Sequence, residues 1–300
     1  MLRLKPKLLY TYVLFLVVYG AFVLLPAPRS ATLLQYHLSS MGLRGIYITI
    51  IIILAVIWYM GFYSYDMLNR YAINIKKDKD GKQVDVIAKG IFFLIMWLPV
   101  SSTISTILNY FVVKHPSALS ATTIIDNYIN LILPLVAFVM IGLGARGLSK
   151  LTKQRPSYRA TNILVVSIVY IGVVYYRLVA TTTNRTLIYH MSIWVIALTL
   201  IAPYIYMWFT GLLAAYELHG FQQKVQGVVY RKSWHYLSLG LGWLIITSIG
   251  FQYLTTLAAH LDHLSIYWIL AIIYSLLAVL SVGFVFIAIG ARKLQKIEEV

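Results

Sequence analysis

Eight stretches of this chain reach, or nearly reach, the run of about 20 mostly apolar residues that a helix needs to cross the roughly 30 Å hydrocarbon core of a bilayer. They are residues 8–25, 45–65, 90–113, 124–145, 160–176, 187–216, 233–259 and 264–291. Only the fourth contains an Asp, Glu, Lys or Arg, which is Asp126 near its start. A soluble domain could not bury so much apolar sequence. The 300 residues are 60 % apolar and 11 % charged, against about 45–50 % and about 25 % in soluble domains. The chain has no cysteine, which excludes disulfides, thiolate metal sites and iron–sulfur ligation.

In a soluble protein a net charge of +16 would suggest a nucleic-acid partner. Here the distribution of charge argues for membrane topology instead. Of the 25 Lys and Arg, 20 fall on the two termini and on the connections after the second, fourth and sixth stretches. The remaining five, Arg29, Arg44, Lys114, Arg177 and Arg185, lie on the alternate connections. Short loops rich in Lys and Arg stay cytoplasmic, so both termini are expected in the cytoplasm of a multi-pass cell-membrane protein that binds no nucleic acid. The first stretch reads as an uncleaved anchor. It exceeds the usual 7–15 residues of a signal-peptide core, and Leu25, Pro28 and Arg29 stand where a cleavage site would need small residues.

The second half of the chain echoes the first. Gly144-Ala145-Arg146-Gly147-Leu148-Ser149-Lys150 returns 146 residues later as Gly290-Ala291-Arg292-Lys293-Leu294-Gln295-Lys296. Tyr36-His37 is answered by Tyr189-His190, and Tyr65-Asp66-Met67-Leu68 by Tyr216-Glu217-Leu218. Ser105 and Asn109-Tyr110 are matched with Ser248 and Gln252-Tyr253, and His115 falls close to the counterpart of His260. Four spans per unit make both units enter and leave on the same side. The expected fold is therefore an all-α integral membrane protein, with eight transmembrane helices in two parallel four-helix repeats, 1–150 and 151–300, about an axis along the membrane normal. Residues 76–89 and 222–232 are expected to be matching cytoplasmic loops.

Polar residues gather on particular faces. Ser101, Ser105 and Asn109 recur every fourth residue, and Ser248, Gln252 and Thr255 or Thr256 do nearly the same in the seventh stretch. Such stripes serve either as interhelical hydrogen-bonding contacts or as the lining of a site or path. Pro99, Pro134 and Pro203 fall within stretches, where each removes a backbone hydrogen bond and kinks its helix. The outer ends collect His37, His115, His190, His260, His263, Asp126 and Arg177. Interfacial preference accounts for histidines there, and a divalent metal, a haem or a pH-sensing role is the functional alternative. Arg177 either snorkels to the interface or pairs with Asp126 or Asp262. Asp66 and Glu217 are expected to pair with Arg70 or Lys224 near helix ends.

Phosphate loops, dinucleotide fingerprints, nucleophile elbows and metalloprotease helices are absent from the sequence, so the reading leans away from an enzyme. The four-plus-four layout resembles that of haem A synthase-like and polysulfide reductase-like membrane subunits. The span count is similar to that of the sensor regions of membrane histidine kinases. Neither likeness extends to motifs. The leading expectation is a protein that binds or transports a small molecule or lipid at an outward-facing polar site between the repeats. Its candidate residues are Ser105, Asn109, Ser248, Gln252, Asp126 and Arg177. The alternatives are a membrane sensor or assembly protein, with a soluble partner at the basic loops, and a haem-bearing redox subunit using the histidines.

Overall fold

A computed structural model describes residues 4–24, 41–75, 79–114, 119–151, 202–225, 227–258 and 266–298 of the chain. All regular structure among them is helical: α1 Pro6–Leu24, α2 Met41–Asn74, α3 Lys79–Lys114, α4 Leu119–Leu151, α5 Ala202–Lys224, α6 Val228–Ala258 and α7 Ile266–Glu298. Among the described residues three segments are long and apolar enough to cross a membrane, Ile51–Asn74, Ile132–Lys150 and Ala278–Lys296. Large apolar side chains such as Ile52, Ile132, Leu143, Ile246 and Val282 lie on the outside. The protein is a helical membrane protein. The fifth apolar stretch, 160–176, lies outside the described residues.

Six of the helices close into a ring, α2 on α3, α3 on α4, α4 on α5, α5 on α6, α6 on α7 and α7 back on α2. Helix α1 stands outside this ring against α2 and α3. Its Tyr12 hydroxyl donates to the Ala55 carbonyl at 3.2 Å, and its ring meets those of Tyr59 and Phe62 edge-on.

Water expulsion does not hold helices together inside a bilayer. Close backbone approach does, and small residues permit it. A Cβ built at Gly90 would stand 2.8 Å from the Ala137 carbonyl oxygen, and one at Gly144 2.7 Å from that of Gln83, so α3 and α4 touch backbone to backbone. In α6 and α7, Gly240 meets the Gly283 carbonyl oxygen at 2.6 Å and Gly290 that of Ser233 at 2.7 Å. Gly61 of α2 abuts Ile95, and Gly211 of α5 abuts Ile245. These contacts correspond at an offset of 150 residues for α2 with α5 and α3 with α6, and of 146 for α4 with α7. Burial follows the same register. Trp58 and Trp208 are buried, as are Ile87 and Leu237, Ile141 and Ile287, and Leu148 and Leu294.

Two expectations are corrected by this packing. The segments read as cytoplasmic loops are mostly helix, since α3 begins at Lys79 and α5 continues to Lys224. Apolar length reports how much helix lies in hydrocarbon, and does not limit the helix itself. Polar residues prolong these helices into water, as in the Asp85–Lys89 pair at 2.7 Å. Between α5 and α6 the chain turns at Gly227, whose φ of 94° favours glycine. The offset of 150 also differs from the 143 that matched Ser105 with Ser248. On the packing register Ser105 corresponds to Thr255 and Ser248 to Leu98, two helical turns away.

Gly144→Ala and Gly290→Ala should each lower stability by about 1–3 kcal/mol, because the new methyl meets backbone that cannot step aside. Gly242→Ala, whose Cβ would have nothing within 4 Å, should be neutral or stabilising by up to about 1 kcal/mol. Thermal unfolding of the three variants in detergent checks both statements.

Candidate functional site

Inside the ring the side chains leave a partly enclosed space of about 20 Å³, room for a single water. Its walls come from five helices: Leu94 and Trp97 of α3, Pro134 and Phe138 of α4, Met207 of α5, Leu244 and Ser248 of α6, and Leu280 and Phe284 of α7. Three pairs of lining residues occupy corresponding places on the packing register, Leu94 with Leu244, Pro134 with Leu280 and Phe138 with Phe284. The space therefore lies between the α2–α3–α4 and α5–α6–α7 groups. It is level with the Gly61–Ile95 contact, about midway along the helices.

The lining is apolar apart from two groups. Ser248 Oγ donates to the Ile245 carbonyl of its own helix at 2.8 Å, so its hydroxyl turns back on α6. The indole nitrogen of Trp97 is buried and has no hydrogen-bond partner among the described residues. A buried donor left in that state costs about 1–3 kcal/mol. Pro134 adds a second opening in the polar network. It lies inside α4 and has no N–H to give the Asn130 carbonyl one turn above. Chemically the space as it stands suits one water, which would accept from Trp97, with apolar contact over the rest of the lining.

Of the residues singled out in the sequence, Ser248 and Pro134 line this space among the described residues. Ser105 and Asn109 lie on α3, about 12 and 18 Å beyond Trp97 at 1.5 Å per residue. Gln252 is one turn beyond Ser248 on α6, and Asp126 about 12 Å beyond Pro134 on α4. The backbone thus sets Ser105, Asn109, Gln252 and Asp126 on the half of the ring remote from the basic loops. Arg177, His37, His115, His190, His260 and His263 lie outside the described residues. Among the described residues no three His, Asp or Glu gather to hold a metal. Pro203 stands in the first turn of α5 as described, so any kink before it lies outside the described residues too. Sequence reasoning sought polar atoms and so passed over Trp97, Phe138, Met207 and Phe284. The recurrence of Phe138 as Phe284, 146 residues on, was the available signal.

Two other clusters occupy the basic end. Asp66 is wholly buried on α2 and takes Arg70 Nη2 at 2.6 Å, as its spacing suggested. Lys5 Nζ stands 3.8 Å from its other oxygen. On the packing register Asp66 corresponds to Tyr216 and Glu217 to Met67, a slip of one residue from the sequence match. One residue turns a helix by about 100°, so Glu217 does not take the place of Asp66; it is half-buried, where its counterpart Met67 is buried. Across the ring, the Tyr71 and Tyr230 hydroxyls hydrogen-bond to each other. Tyr230 and Phe221 both meet the buried Trp234 ring edge-on.

Near the same end His219 of α5 is half-buried, with its Nε2 3.0 Å from the Gln223 amide. Burial holds its pKa below the usual 6.5, and the neighbouring His235 acts in the same direction. The unfolded chain then binds the proton more readily, so stability is greatest above about pH 6.5 and falls as the pH drops through that value towards the folded pKa. His219→Gln should flatten the decline in unfolding temperature between about pH 7.5 and about pH 5.5. An unchanged slope would place the loss in other groups.

No family model matches this chain, and neither a curated protein nor a solved structure is significantly similar to it.

Proposed function

We propose that this chain is an eight-span protein of the cell membrane, built as two parallel four-helix repeats with both ends cytoplasmic, that binds or transports a small apolar molecule or lipid between the repeats. The observation that carries the reading is the axial space, which draws Leu94, Pro134 and Phe138 from one helix group and Leu244, Leu280 and Phe284 from the other. Parallel repeats related by an axis along the membrane normal favour a site on that axis. The paired glycine contacts at offsets of 150 and 146 support the repeat itself.

The glycine contacts differ in kind between helix pairs. Where α4 meets α5, a Cβ on Gly142 would find Ala214 at an ordinary 3.5 Å, whereas within α3–α4 and α6–α7 it would strike backbone. Binding of anything larger than one water requires the two groups to part at this space. The Tyr71–Tyr230 hydrogen bond bridges the groups about 15 Å below the axial space, counting ten residues from Gly61 to Tyr71. It favours an opening on the opposite, outer side. There Ser105, Asn109, Gln252 and Asp126 form the approach, and Ser248 and Trp97 stand at its foot.

Native mass spectrometry of the protein released from its own membrane tests the reading. The wild type should retain one discrete small mass. Ser248→Phe, which fills the space, should lose it while keeping the wild-type helical content, and Trp97→Phe should retain at least tenfold less, the loss expected of one buried hydrogen bond. Identical bare spectra from all three would reduce the space to a packing flaw and favour the sensor or partner-binding alternative.

A further inference from the structure

Where α1 begins, it forms an open groove of about 500 Å³ with α2, within the size range of ligand pockets. The groove is separate from the axial space and its argument does not rest on the function proposed above. Its residues divide into two chemical halves.

One half attracts anions. Lys5, Pro6, Lys7 and Leu8 line it, and α1 starts at Pro6. The first intrahelical bond there runs from the Leu9 amide to the Lys5 carbonyl, so the amides of Lys7 and Leu8 have no helical acceptor. Two free amides, the positive end of the helix dipole and two lysines form a phosphate-binding arrangement. The other half offers a carboxylate. Asp66 lines the groove with its side chain only 1 % exposed. Its Oδ2 is taken by Arg70, while Oδ1 has no hydrogen-bond partner among the described residues. The Lys5 ammonium at 3.8 Å is too distant to donate.

A ligand matching both halves carries a phosphate and, a few ångströms away, a protonated amine with N–H donors. We infer that the groove binds the phosphoethanolamine headgroup of a membrane lipid, with phosphate on Lys5, Lys7 and the α1 amides, and ammonium on Asp66 Oδ1. The flanking surface favours a lipid as the bearer of that group. Leu9, Val13, Leu14 and Val17 of α1 are exposed apolar residues that continue away from the groove along the helix, where acyl chains would lie. A choline headgroup keeps the phosphate but has no N–H for Asp66, so the groove discriminates between two otherwise similar lipids.

The test uses the full-length protein in nanodiscs holding equal amounts of phosphatidylethanolamine and phosphatidylcholine, with lipid retained after transfer to detergent counted by native mass spectrometry. Phosphatidylethanolamine should be retained about tenfold over phosphatidylcholine, as expected of one charge-assisted hydrogen bond. Lys5→Gln/Lys7→Gln should lose most of the retained lipid. Asp66→Asn should bring the two lipids to parity, and should its uncompensated Arg70 prevent folding, mono- and dimethylated ethanolamine lipids on the wild type replace it, with retention falling as N–H groups are removed. Equal retention of the two lipids by the wild type, or retention untouched by the lysine substitutions, overturns the inference. Displacement of the lipid by millimolar free O-phosphoethanolamine overturns the lipid as bearer of the group.

Discussion

Backbone contact between neighbouring helices at glycine is the constraint on which the rest of this architecture depends. In lipid the apolar side chains of α3 and α4 gain little by leaving one hydrocarbon for another, so their association relies on packing and on hydrogen bonds that water would otherwise weaken. Gly90 and Gly144 bring two helices close enough for Cα–H groups to reach carbonyl oxygens. Gly240, Gly283 and Gly290 do so for α6 and α7. These fixed pairs set the register of everything between them. Phe138 and Phe284 face each other's neighbourhoods because Gly144 and Gly290, six residues further along, are held against α3 and α6.

The membrane class was plain in the sequence because hydrocarbon thickness writes its length directly into the chain. The pattern of Gly-Ala-Arg around residues 144 and 290 was also legible, and Gly144 and Gly290 of those motifs are among the glycines that meet backbone of the next helix. Helix ends were not, because the residues from Lys79 to Lys89 are polar and hydropathy cannot separate a hydrated helix from a loop. Nor was the register of α3 against α6. Ser105, Asn109, Ser248 and Gln252 share a spacing, but the packing contacts are made by Gly90, Gly240, Ile95 and Ile245, and these impose an offset seven residues longer. A heptad keeps nearly the same helix face, so the polar stripes stay on equivalent faces at different depths.

At the basic end the energetics are of another kind. Asp66 is a carboxylate removed from water, and losing one partner of a buried ion pair costs about 3–5 kcal/mol. Arg70 answers it from the next turn of α2, which makes the pair local and independent of ring closure. The sequence foretold this partner because i,i+4 geometry is fixed by the helix. It did not foretell that Lys5 would arrive from α1, since nothing local specifies where a helix outside the ring will rest. Tyr12 supplies that information through Ala55, Tyr59 and Phe62. The position of Lys5 over Asp66 is thus a consequence of aromatic packing two turns away.

The axial space shows how two helix groups with the same packing register can present unequal chemistry. Pro134 and Leu280 occupy corresponding positions, yet only the proline leaves a carbonyl, that of Asn130, without its helical donor. Trp97 brings a buried N–H where the second group has Thr247, whose hydroxyl is already committed to the Trp243 carbonyl at 2.7 Å. Ser248 brings a hydroxyl where the first group has Leu98. Donor and acceptor therefore concentrate on the α3–α4 side, whereas the Ser248 hydroxyl is turned back on α6. The two helix groups thus share a packing register without sharing the hydrogen-bonding groups that they bring to the space.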